Sequence, residues 1–134
     1  AAGDDDWNHI RIARATKELA DNGALVHLGA HGQLEGLGAH WELWMFEQGG
    51  MTPMQALAAG TIMGAQYLGM DRDIGSLEPG KLADLVVLTA NPLDDITHSD
   101  DIEMVMLGGR LYDASDLRQL APVEAPAPVM PWAR

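Results

Sequence analysis

The chain has 134 residues, no cysteine, and eight Lys and Arg against twenty Asp and Glu, for a formal net charge of −12. This length suits one ordinary domain with a sizeable core, while the acidic balance repels phosphate backbones and anionic lipid and so argues against nucleic-acid and membrane partners. The absence of cysteine removes disulfides, thiolate nucleophiles and Cys-based zinc sites.

No run approaches the ~18 apolar residues of a membrane span, and no basic region with an apolar core precedes the first helical pattern. A soluble protein is expected, cytoplasmic or periplasmic, with the compartment left open. Ala1 reads as a cut end.

In chain order, Asp4, Asp5 and Asp6 lie where acidic groups complement a helix start, and His9, Ile12, Ala13, Thr16, Leu19 and Ala20 follow at spacings of three and four. Arg11, Arg14, Lys17, Glu18 and Asp21 fall mainly on the other side, a solvated face. The helix stops at Asn22-Gly23, and Leu25 to Ala30 then has the length and composition of a buried strand. A strand entered from a helix suggests a parallel α/β unit. Gly29, Gly32, Gly36 and Gly38 let the following loop fold tightly around a ligand or ion.

His40 to Gln48 can form a short helix ending at Gly49-Gly50, with Trp41, Trp44 and Met45 as its apolar cluster. These aromatics read as packing rather than as a substrate-stacking surface. Thr52-Pro53-Met54-Gln55 predicts a helix start with Thr52 as N-cap, Pro53 at the first helical position and Gln55 closing a capping box. That helix is expected to run to about Leu68, where Gly69 stops it.

From Asp71 the pattern changes to strands and turns. Pro79-Gly80 fits a type II turn, and Asp84 to Thr89 is the best strand by β-branched content. Ile102 to Leu107 and Arg110 to Tyr112 flank Gly108-Gly109 as a two-residue hairpin, giving a small antiparallel sheet. From Ala121 the chain holds four of its seven prolines and is expected to form an extended arm.

Chemistry is placed at Leu25 to Gly38. Alternation puts Leu25, His27, Gly29 and His31 on one face, with His31 at the carboxyl end, where parallel barrels carry catalytic groups. The competing reading is that His31 caps a turn and His27 hydrogen-bonds in a core. His27, His31, Glu35, His40 and Glu42 lie within sixteen residues, enough for a three-ligand metal site, though neither HExxH nor HxH is present. Ser76, Ser99 and Ser115 have no nucleophile-elbow context, and the glycines spell no phosphate loop.

The run Ile74 to Leu88, IGSLEPGKLADLVVL, resembles the C-terminal segment of the amidohydrolase superfamily, in its imidazolonepropionase-like and prolidase-like branches. MTPMQALAAGTIMGAQYLGM upstream resembles the helix that precedes it there, and NPLDDI and VMLGGRLYD resemble the closing strands. The resemblance covers about residues 7 to 115. GAHGQLEGLGAHWELW is similar to a branch in which the hydrolase domain follows a β-propeller half.

The resemblance implies an α/β fold: residues 1–70 as the C-terminal part of a (β/α)8 TIM barrel whose last strand is Leu25 to Ala30, 71–120 as strands of a composite β-sandwich domain, and 121–134 as a Pro/Ala-rich tail. It implies a parent that hydrolyses C–N bonds of a cyclic amide or peptide-like substrate with a divalent metal, zinc, and metal-activated water. The HxH ligands, bridging lysine and middle histidines of the family would lie upstream, which leaves the fragment alone inactive.

Where most of the family has Gly-Thr-Asp or Gly-Ser-Asp at the end of the last strand, this chain has Gly29-Ala30-His31. His31 then stands in for the aspartate as metal ligand or catalytic proton carrier, and Gln33 and Glu35 follow as substrate contacts. The alternative is a non-catalytic self-associating or interaction module, because part of a barrel exposes apolar surface and an unpaired edge. A homo-oligomer is expected for the isolated chain.

Overall fold

The computed structural model describes residues 7–31 and 34–129. The acidic residues Asp4 to Asp6 and the loop residues Gly32 and Gln33 lie outside them. Four helices come first: α1 (Asn8–Asp21), α2 (Leu37–Gln48), α3 (Pro53–Ala59) and α4 (Ile62–Tyr67). A four-stranded antiparallel sheet follows in the order β1 (Leu85–Leu88), β2 (Ile102–Leu107), β3 (Arg110–Asp113), β4 (Gln119–Ala121), with the 3₁₀ helix Ile96–Asp100 between β1 and β2.

Three of the helices end in the same way. After α1 the Ala24 N–H bonds the Leu19 carbonyl and Gly23 bonds Ala20; after α2 Met51 bonds Phe46 and Gly50 bonds Glu47; after α4 Met70 bonds Ala65 and Gly69 bonds Gln66. Gly23, Gly50 and Gly69 carry the positive φ these Schellman turns need. Each helix therefore stops where its glycine stands in the sequence.

The α3 start is the capping box expected from Thr52 and Gln55: the Gln55 N–H bonds Thr52 Oγ1 at 3.2 Å and the Thr52 N–H bonds Gln55 Oε1 at 2.9 Å. The expected single helix to Leu68 is instead two, because the backbone leaves helical geometry at Thr61, at φ −131° and ψ −97°. A Cβ on Gly60 would sit 2.9 Å from Leu28 Cδ1, so the chain crosses here at glycine distance. The Leu28 N–H donates to the Ala59 carbonyl, the last of α3, at 3.3 Å.

Leu25 to Ala30, expected as a strand, forms none. A strand exists only through its ladder, and among the described residues the four paired strands all belong to the antiparallel sheet. The parallel α/β pairing expected from this segment is accordingly absent among those residues.

The core gathers Leu43, Phe46, Met51, Ala56, Ala59 and Ile96, with Val26, Leu28, Trp44 and Met63 packed around it. Ile96 brings the 3₁₀ helix onto the helical layer. α1 docks on α2 through small residues: Ala13 is fully buried, and a Cβ on Gly49 would lie 2.4 Å from its carbonyl carbon. The outer half of the apolar stripe on α1 stays open, with Ile12 61% and Leu19 59% exposed.

The sheet half follows its turn residues. Lys81 N–H bonds the Glu78 carbonyl across Pro79-Gly80, with Gly80 at positive φ, as a type II turn requires. Gly108 and Gly109, both at positive φ, close the β2–β3 hairpin onto the pair Leu107 and Arg110. The expected extended arm instead turns back, where Gln119 and Ala125 exchange backbone hydrogen bonds at 2.9 and 3.1 Å.

Candidate functional site

Gly29 and Ala30 lie over the first turns of α2. Gly38, Trp41, Glu42 and Met45 recur at helical spacing and, with Gly29, Ala30 and Leu34, line an open cleft of about 380 Å³. Ala30 comes close to α2 here, its Cβ 3.4 Å from where a Cβ on Gly38 would stand. One turn further on, Glu42 Oε2 accepts the Gly29 N–H at 2.8 Å.

His31 follows this anchored stretch. It is exposed and has φ +55°, an uncommon backbone state for a residue with a Cβ. Glu35 is exposed one residue before the α2 N-cap, Gly36. Gln33 lies outside the described residues.

The other histidines are engaged elsewhere. His27 Nδ1 donates to the Leu28 carbonyl at 3.0 Å, and its ring stacks on Tyr67 with centroids 4.3 Å apart. His40 Nδ1 pairs with Ser99 Oγ at 3.1 Å, and Trp44 Nε1 donates to the same oxygen at 3.0 Å. The serine oxygen, with one donor proton and two acceptor lone pairs, serves both rings, and the His40 tautomer sets the direction of their bond.

Of the five candidate ligands of the sequence, His27, His40 and Glu42 thus bond to three different partners. Among the described residues no three His, Asp or Glu side chains gather where they could hold a metal ion. The described residues do not by themselves make a metal centre. No helix among them is long and apolar enough to cross a membrane.

The sequence places Glu42 only among possible metal ligands and gives Ser99 no nucleophile-elbow context. The signal for Glu42 was its four-residue spacing from Gly38, which puts both on the helix face turned to the loop. Ser99 carried no local signal, because its partners lie 55 and 59 residues away.

The chain matches the model of the Amidohydrolase family over residues 10–112. It is 45% identical over 64 residues to the imidazolonepropionase of Geobacillus thermodenitrificans, which covers 46% of this chain and 15% of that protein. It is 26% identical over 136 residues to the 5-methylthioadenosine/S-adenosylhomocysteine deaminase of Teredinibacter turnerae, covering 92% of this chain and 30% of that protein. In structure it is similar to a Xaa-Pro dipeptidase, with a TM-score of 0.69 at 28% identity over 77% of this chain and 26% of that one. The chain therefore spans less than a third of the length of each of these proteins. With the family model covering most of its length and the fold agreeing, the chain belongs to the amidohydrolase family.

Proposed function

We propose that the chain is the C-terminal part of a metal-dependent amidohydrolase that hydrolyses C–N bonds of a cyclic amide or peptide-like substrate, with His31 at the reacting centre. The observation that carries the reading is the placement of His31. It stands exposed directly after a backbone stretch held on α2, in a cleft-bordering loop, where the family resemblance puts the aspartate that ends the last strand. An imidazole exchanges protons near neutral pH and can also ligate a metal, so it is competent for either role of that aspartate.

On this reading residues 1–70 complete a barrel, 71–120 contribute to a β-sandwich domain and 121–134 form its tail. Leu25 to Ala30 lacks a ladder here because its neighbouring strands belong to the upstream chain. The divalent metal, zinc, has most of its ligands there too. The chain by itself is inactive. Within it, His31 carries the proton, Glu35 and Gln33 border the substrate, and the glycines allow the loop to approach it closely.

A second reading, a self-associating module, draws support from the large apolar side chains left open on the helices, among them Ile12, Leu19, Tyr67 and Leu68. It makes the isolated chain a homo-oligomer.

The coding sequence upstream of Ala1 separates the two. An open frame of roughly 200 codons or more, the size of the missing barrel, with an HxH after an early strand supports the hydrolase. A start codon immediately before Ala1 overturns it in favour of the module.

A further inference from the structure

Residues 25–30 belong to no ladder, so their backbone N–H groups bond elsewhere: Leu28 donates to the Ala59 carbonyl. At Gly29 the partner is a side chain thirteen residues on, the Glu42 carboxylate at 2.8 Å. A hydrogen bond to a carboxylate is about twice as strong as one between neutral groups, and Glu42 is half-buried while the Gly29 it holds is exposed. The next residue, Ala30, lies along the same helix face, its Cβ 3.4 Å from where a Cβ on Gly38 would stand. Two successive residues thus lie against positions one turn apart on α2. The next residue is His31, whose φ of +55° turns the chain out of that stretch.

We propose that Glu42 is a positioning residue for His31: its carboxylate clamps the Gly29 amide, and with Gly38 it fixes the point and direction from which His31 enters the site. The inference rests on the reading of His31 as functional, but the clamp itself is testable without activity. Glu42 acts through backbone, which is why a carboxylate stands on a helix face otherwise made of Gly38, Trp41 and Met45.

The test is NMR of the ¹⁵N-labelled full chain as wild type, Glu42→Gln, Glu42→Ala and, as a control in the sheet half, Ser115→Ala, whose serine bonds Asp113. In Glu42→Ala the Gly29 amide proton should move upfield and lose about tenfold to a hundredfold of its exchange protection, the scale of a hydrogen bond to a charged group. The His31 amide resonance should move with it. Glu42→Gln, whose Oε1 can still accept, should fall between wild type and Glu42→Ala, and it decides the matter if the alanine variant fails to fold. Ser115→Ala should leave both resonances in place. Unmoved Gly29 and His31 resonances in the Glu42 variants, or equal movement in Ser115→Ala, would overturn the clamp. Failure of the His31 reading registers separately, as unchanged turnover of the full-length protein after His31→Ala.

Discussion

Trp44 and Ser99 are 55 residues apart in the chain and meet through one hydrogen bond, Nε1–H to Oγ at 3.0 Å, which ties α2 to the 3₁₀ helix. Ser99 is 5% exposed, and the same oxygen serves His40, so the serine satisfies two ring nitrogens at once. Replacing it by alanine leaves both without a partner in a half-buried setting. Ser99→Ala should cost about 1–3 kcal/mol. Urea denaturation monitored by tryptophan fluorescence checks this, with a lower midpoint and an unchanged slope expected.

Gly49 should tolerate no side chain. The Cβ of alanine there would fall 2.4 Å from the Ala13 carbonyl carbon and 2.6 Å from its Cβ, and backbone cannot step aside as a long side chain can. Overpacking of this kind costs typically about 1–3 kcal/mol. Gly49→Ala should therefore lower the melting temperature, whereas alanine at Gly29, where a Cβ meets nothing within 4 Å, should leave it nearly unchanged.

Acid should weaken the turns of the sheet half. The Ser115 hydroxyl and N–H hold the Asp113 carboxyl below its ordinary 3.8, Thr97 does the same for Asp95, and Ser76 with Lys81 holds Glu78 below 4.5. A carboxyl whose folded value is depressed adds stability that is fully present above its unfolded value and is lost as pH falls through the folded one. Denaturant midpoints should thus hold from pH 7 to about 5 and drop below about 4. Ser76→Ala and Ser115→Ala should each make the drop shallower, and an unaltered acid limb in both would contradict the assignment.

What was legible in the sequence is what short-range chemistry fixes. Thr52 and Gln55 are three residues apart and cap α3 as expected; Gly108-Gly109 and Pro79-Gly80 form their turns from their own φ preferences. The helix stops at Gly23, Gly50 and Gly69 are equally local. The break at Thr61 was not visible, because it depends on Leu28 crossing at Gly60 from thirty-two residues upstream in the chain. Leu25 to Ala30 has strand composition, but composition supplies no partner strand.

The site divides along the same line. His31 was singled out by its place after an apolar run and before glycines, and its exposed, left-handed backbone agrees with a loop position. The bond that anchors the loop, Glu42 to Gly29, joins a helix to a backbone amide and left only the Gly38–Glu42 spacing as a trace.

The central claim is that His31 takes the place of the usual strand-end aspartate, and the most direct measurement is the turnover and metal content of the full-length protein carrying His31→Ala, with Xaa-Pro dipeptides and cyclic amides as substrates. The account predicts a fall in kcat of about a hundredfold or more, the scale of a lost acid–base group, in a protein that remains folded. Unchanged turnover together with unchanged metal content would contradict it.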